Sequence, residues 1–281
     1  MTVISAALVK ALREETNVGM MECKRALVET KGDKAAAIKL LRERGVAIAA
    51  KKATRAVNQG VIASAIISGG QAGSLIEVNC ETDFAAKNPG FRTFVQTLAE
   101  KAAAKDINLA EAAQAEVTAK IAETGENIVV RRALRYALQG SGLVTSYIHH
   151  GSMIGVLLEA GCQKAETVEN PDFLETVKDL CLQVAAANPR FLDRQGIPAD
   201  VIAAERDICA KQVKDKPAAI MDKIVDGKIK KYYTQECLVD QPFIKDPTKT
   251  ITALLKEKGG LVGDILAVRR FARFQVGEAV G

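Results

Sequence analysis

The sequence predicts an α+β protein in which a small helical bundle precedes two copies of one mixed unit. Three observations carry this prediction. Apolar residues recur at helical spacing through residues 1–50. From Gly60 to Ala104 the chain matches Gly142–Ala186 without a gap at an offset of 82 residues. Each copy holds two apolar runs joined across glycines, a helical stretch, and an arginine-bearing closing strand. A chain of 281 residues, 48% hydrophobic and 26% charged, has room for two or three domains with a substantial core. Aromatic content of 4% and the lack of Trp favour helix with some sheet.

In the N-terminal part, Ser5 caps a first helix carrying Ala7, Leu8, Ala11 and Leu12. The Thr16-Asn17-Val18-Gly19 break leads to a second with Met20, Met21, Cys23, Ala26 and Leu27. Asp33 caps a third with Ala36, Ala37, Leu40 and Leu41, and Gly45 stands where a C-cap glycine belongs. This bundle, residues 1–50, resembles a ubiquitin-associated domain, a type of peptide- or helix-docking module. Residues 51–59 read as a helix tail and linker in which Lys51, Lys52 and Arg55 form a solvated face.

The repeat defines the next two units, 60–140 and 141–281. Gly60 lies over Gly142, Ser64 over Ser146, Glu77 over Glu159, Cys80 over Cys162, Asn88-Pro89 over Asn170-Pro171, and Phe91 over Phe173. Further on, 125–132 resembles 263–270 at an offset of 138, so the second copy carries 56 extra residues. Each unit is expected as a hairpin (61–68 with 74–78 in the first), a helix (91–105), a second helical segment (109–122) and a third strand (128–138). Alternation sets Arg131 and Arg135 on one face of that strand. The extra residues, at about 193–240, read as an antiparallel helical hairpin broken at Asp215-Lys216-Pro217. Val201, Ile202, Ile208 and Val213 can face Ile220, Ile224 and Ile229. Two placements stay open for it: projecting toward a partner or a second copy of the chain, or packed flat on its own unit.

The stretch from Val78 to Phe91 is the most informative. A buried strand gives way to the polar loop Glu81-Thr82-Asp83-Phe84-Ala85, with Asn88-Pro89-Gly90 as turn signal before a helix. In the second copy the frame is kept, but Thr82-Asp83-Phe84 becomes Lys164-Ala165-Glu166. The fold is thus built once without Phe84. Both a core residue and an exposed tip remain open for it. The second would supply an apolar wedge beside a hydrogen-bond acceptor, suited to protein–protein insertion.

Several chemistries lack their signatures. There is no phosphate-binding loop, no dinucleotide fingerprint and no nucleophile elbow. Six dispersed cysteines without a C-x-x-C pair, and only two histidines, argue against a zinc site and for reduced, mostly buried thiols. His149 and His150, adjacent at a strand end, point to opposite faces and read as structural. Residues 1–9 have no charged region ahead of a long apolar core, so no signal peptide is expected. No stretch is long and apolar enough to span a membrane. The expectation is a cytoplasmic binding protein without cofactor, metal or nucleotide site. With net charge +5 and the Arg131/Arg132/Arg135 and Arg269/Arg270/Arg273 sets, the alternative is a basic RNA-binding module with an accessory docking domain.

Motifs along essentially the whole chain, in one order, resemble the translation elongation factor Ts family. They are Val18-Gly19-Met20-Met21-Glu22-Cys23-Lys24-Arg25-Ala26-Leu27, the run from Glu77 to Lys87, Tyr147-Ile148-His149, the run from Asp240 to Pro247, and Phe274-Gln275-Val276-Gly277-Glu278. The resemblance implies a nucleotide exchange factor that binds elongation factor Tu and promotes GDP release. By it, Thr82, Asp83, Phe84 and Ala85 would enter the GTPase near its Mg²⁺, with Phe84 as wedge. Leu12, Val18, Gly19, Met20 and Met21 would dock on a GTPase helix, and His149 would contact the partner. The helical hairpin would serve another contact, including a homodimer or 2:2 complex. One departure stands out: Ser152-Met153-Ile154-Gly155 replaces the family's usual Gly-Arg-Ile-Gly, so no role for that Arg carries over.

Overall fold

A computed structural model describes residues 4–16, 18–213 and 218–279 and shows mixed helix and small sheets, an α+β fold. The chain divides into two compact units. One comprises Met1–Ala63, Ile76–Leu134 and Val276–Gly281; the other comprises Ser64–Leu75 and Arg135–Gln275.

The first unit begins with α1 (Ala6–Thr16), α2 (Met20–Glu29) and α3 (Lys34–Lys52). The Ser5 hydroxyl accepts from the Leu8 N–H at 3.2 Å, and the Asp33 carboxylate accepts from Ala36 at 3.0 Å, so both sequence-predicted caps form. Val9, Leu12, Cys23, Ala26, Leu27, Ala37 and Leu41 make the bundle's core. Gly45 is not a C-cap. It lies buried inside α3, which runs on to Lys52. A Cβ added there would sit 3.4 Å from Ala122 Cβ, so this face of α3 packs closely on a later helix. That packing outweighs the roughly 1 kcal/mol penalty of a helical glycine.

Strands β1 (Gln59–Ile67), β2 (Ala72–Cys80) and β3 (Ile128–Ala137) form a sheet in that order. The middle strand β2 is buried at every position. Between β2 and β3 come α4 (Asp83–Lys87), α5 (Pro89–Ala104), α6 (Leu109–Ala112) and α7 (Gln114–Thr124). Phe91, Val95, Leu98, Ala99 and Ala102 give α5 one buried stripe. The expected helix at 109–122 is thus two helices, parted at the fully buried Ala113.

The second unit holds β4 (Gly142–Ile148), β5 (Ile154–Gly161), α8 (Pro171–Ala187), α9 (Ala199–Lys211), α10 (Ala218–Glu236), β6 (Pro242–Phe243), β7 (Asp246–Thr250), α11 (Ile251–Val262) and β8 (Ala267–Gln275). Its main sheet is antiparallel in the order β4-β5-β8. One face packs α8 and α11 through Phe173, Val177, Leu180, Val184, Ile251 and Leu254. Ser64 and Ser146, equivalent in the repeat, hydrogen-bond each other at 2.9 Å.

Helices α9 and α10 do form an antiparallel pair, with a seam that keeps the expected Val213 and Ile229 and differs at the other positions. Cys209, Val225 and Ile229 are buried there, supported by Val213, Met221 and Tyr233, while Ile208 and Ile220 are half exposed. The expected break at Asp215-Lys216-Pro217 lies outside the described residues. Helix α11 is the second helical segment expected of each unit, whereas β6 and β7 have no counterpart among the expected elements.

Candidate protein-docking site

The stretch from Val78 to Phe91 folds as strand, cap and short helix. Cys80 ends β2, and its thiol donates to the Thr82 carbonyl at 3.3 Å. Burial pushes that thiol up to about 11. Thr82 is extended and caps α4, its hydroxyl oxygen accepting from the Ala85 N–H at 3.2 Å. Asp83 lies in the first turn, where the helix dipole favours an acid, and Lys87 in the last, 2.6 Å from it. The Lys87 hydrogen bond holds the Asp83 carboxyl below its ordinary range. Arg92 Nε then donates to the Ala86 carbonyl at 3.1 Å, and Asn88 caps α5 by accepting from Gly90 and Phe91.

This geometry decides where Phe84 points. Residues two apart on a helix face about 200° apart. Ala86 is buried against the unit, so Phe84 faces away from it and is 82% exposed. It is the most exposed large apolar side chain among the described residues. The core reading of Phe84 therefore fails, and the exposed tip is what the fold builds.

The base of the tip is held by an acid that sequence reasoning passed over. Glu126 lies just after the left-handed Gly125 that ends α7. Its carboxylate accepts from the N–H groups of Glu81 and Thr82, both at 3.1 Å, and from the Thr82 hydroxyl. In return, Glu81 accepts from the Asn127 N–H at 2.6 Å and pairs with Arg55 at 3.3 Å. The Asn127 bond, followed by Arg55, keeps the Glu81 carboxyl low. The second unit repeats the device. Asp264 accepts from Gln163, Lys164 and the Thr167 hydroxyl at 3.1–3.2, 3.0 and 2.6 Å, and these bonds, Thr167's first, hold it down to about 2. Cys162 donates to the Lys164 carbonyl at 3.2 Å, as Cys80 does to Thr82. The next element in that copy is a 3-10 turn, Ala165–Glu169, without an aromatic. The available signal was an acid placed directly after a glycine in both copies.

A second exposed surface of the first unit opens α2. Met20 and Met21 are 50% and 63% exposed, Gly19 is exposed, and Val18 is partly buried against the bundle core. Leu12, expected to dock with them, is fully buried in that core. In the second unit His149 is exposed at the end of β4, its Nδ1 3.1 Å from the Tyr147 hydroxyl. Met153 is exposed on the same turn.

The arginine sets serve the fold. Glu77 and Glu159 are fully buried. Arg131 and Arg132 reach Glu77 at 3.0 and 2.7 Å, and Arg269 and Arg270 reach Glu159 at 3.3 and 2.7 Å. Simple alternation would send neighbouring arginines to opposite faces. Against β8 the register slips between Glu159 and Ala160 of β5, making Arg269 the extra residue of a bulge, so both side chains turn to one acid. Gly161 leaves room for this: a Cβ there would lie 2.7 Å from Arg269 Nε.

The six cysteines are buried and unpaired. Among the described residues no cluster of His, Cys, Asp and Glu could hold a metal ion, and no helix is long and apolar enough to cross a membrane.

Comparison with known proteins gives one answer. The family described as Elongation factor TS matches residues 81–278. The Elongation factor Ts of Clostridium botulinum (strain Eklund 17B / Type B) is 42% identical over 290 residues, covering 99% of this chain and 94% of that protein. That of Nitratidesulfovibrio vulgaris (strain DP4) is 40% identical over 277 residues, covering 98% and 96%. That of a Nitratiruptor species is 39% identical over 289 residues, covering 99% and 94%.

Proposed function

The chain belongs to the elongation factor Ts family and is a translation elongation factor, and from that premise we propose that it binds a GTPase of the elongation factor Tu kind and speeds release of its GDP. The observation that carries the reading is Phe84, an aromatic ring left 82% exposed on a short helix whose base is hydrogen-bonded in place. A buried Phe side chain is worth about 1.5–3 kcal/mol over an exposed one, so this tip gains most when a partner covers it.

In this reading Thr82, Asp83, Phe84 and Ala85 enter the partner beside its magnesium site. Phe84 parts packed side chains there. Asp83 gives up Lys87 and offers its carboxylate to donors in the partner. The metal neutralises phosphate charge, so a shift of its surroundings loosens GDP without this chain touching the nucleotide. Thermodynamic linkage sets the requirement: the chain must bind the nucleotide-free partner more tightly than the GDP form, by the same factor that it weakens GDP. Val18, Gly19, Met20 and Met21 dock on a partner helix, with Leu12 holding that surface up, and His149 adds a contact from the second unit. The α9–α10 pair, with Ile208 and Ile220 on its outside, serves a further contact, such as a second copy in a 2:2 complex. The setting is the cytoplasm.

The test is release of a fluorescent GDP from such a GTPase, followed by stopped flow with and without this protein. Release that is not accelerated at saturating protein removes the proposal.

A further inference from the structure

We infer that Glu126 is a positioning residue for the Phe84 tip: its carboxylate fixes the backbone from which α4 starts and so sets the direction in which Phe84 leads into the partner. The inference rests on the exchange reading above. Three donors converge on this one side chain: the Glu81 and Thr82 N–H groups and the Thr82 hydroxyl. The Thr82 hydroxyl has one proton to give and lone pairs to spare. It gives the proton to Glu126 and accepts from Ala85, so the cap is fixed from both sides. The five-residue α4 is far shorter than a helix that holds itself in water. Its direction is therefore set by what grips its first residue and by Ala86 beneath it.

The repeat supplies an internal comparison. Asp264 grips Gln163, Lys164 and Thr167 in the same manner, yet the turn it holds carries Glu166 where the first copy carries Phe84. The two carboxylates share a folding role, and only Glu126 has a wedge riding on the backbone it holds. Loss of either should loosen its own strand end. Only loss of Glu126 should alter exchange.

The experiment measures release of fluorescent GDP from a GTPase of the elongation factor Tu kind against concentration of full-length Glu126→Gln, Asp264→Asn, Thr82→Val and Phe84→Ala variants, with a thermal melt of each. Glu126→Gln is expected to lower the saturated release rate about tenfold or more, because misplacement of a contact group by about 1 Å can cost a hundredfold. Its half-saturating concentration should stay within about twofold, since the other docking surfaces are untouched. Asp264→Asn should melt earlier and release GDP at the parent rate. If Glu126→Gln does not fold, Thr82→Val, which removes the hydroxyl link and keeps the shape, carries the test with the same expected fall. A slow Phe84→Ala with Glu126→Gln (or its Thr82→Val substitute) at the parent rate overturns the inference and leaves the exchange reading standing. Parent rates in both overturn the wedge along with its positioning. A fall in Glu126→Gln and Asp264→Asn alike, in proportion to lost melting temperature, also overturns the inference, because the effect then belongs to the fold.

Discussion

Truncating Phe84 to Ala separates folding from exchange. The ring is 82% exposed, and its helix is held by the Glu126 and Thr82 hydrogen bonds and by buried Ala86. A surface change of this kind moves stability by no more than about 0.5 kcal/mol. The effect on exchange should be far larger. If the ring becomes buried only as the partner opens, its loss removes about 2–3 kcal/mol of apolar and aromatic contact. At 1.4 kcal/mol per factor of ten, GDP release should slow roughly 30- to 150-fold. The fall should appear in the saturated rate, because a contact made only in the opened state does not help the first encounter. Stopped-flow release at saturating factor, with a thermal melt of the same sample, measures both quantities. A variant that melts like the parent and releases GDP within twofold of it would refute the wedge.

Met21→Ser is expected to raise the half-saturating concentration in the release assay several-fold with little change in the saturated rate, since Met21 is exposed and the proposed function makes it a docking residue. Leu12→Ala should instead cost about 2–5 kcal/mol of stability in a denaturant titration, being fully buried. Glu77→Gln should destabilise by about 3–5 kcal/mol, because two partly buried arginines lose their counter-charge, and Glu159→Gln should match it. Asp264, held at about 2 in the fold against an ordinary 3.8, gives a pH signature. Its folded value lies below its unfolded one, so its contribution is present above about pH 4 and lost as pH falls toward about pH 2. Asp264→Asn should flatten that acid limb in melts recorded between about pH 5 and pH 2.5, and an unchanged limb would sink the assignment.

Much of the framework was legible in the chain because it depends on residue types that a fold demands. Glycines at turns, the Asn-Pro helix starts and the apolar spacing of α5 and α8 recur at a fixed offset, and Ser5 and Asp33 are capping residues in capping places. Helix α3 overran Gly45 because packing on α7, a contact with no local signature, overrode a local stop signal. The seam of α9 and α10 uses Cys209 and Val225 where Ile208 and Ile220 looked equally apt, a rotation that spacing leaves undecided. The tip was half legible. The repeat showed that Phe84 departs from its counterpart. Its exposure depends on Ala86 being the buried residue of α4, which composition does not announce. Glu126 and Asp264 escaped notice because, beside one Thr hydroxyl each, they bind backbone N–H groups, and any sequence supplies those. Arg269 and Arg270 escaped alternation because a bulge in β8 re-aimed one of them.

The duplicated carboxylate grip at the end of β2 and of β5 means that the chain contains two sockets and one plug. Glu126 and Asp264 hold backbone N–H groups together with the Thr82 and Thr167 hydroxyls, so the exposed side chains beyond those contacts are free to vary while the socket stays whole. Changes at the exposed positions 84 and 87 can therefore retune the proposed recognition of a partner without eroding the domain that carries them. By the same logic the empty socket is a place to build. Grafting Thr82-Asp83-Phe84 onto positions 164–166, with Thr167 kept for Asp264, would set a second wedge on the other copy's scaffold, turning a one-handed tool into a two-handed one.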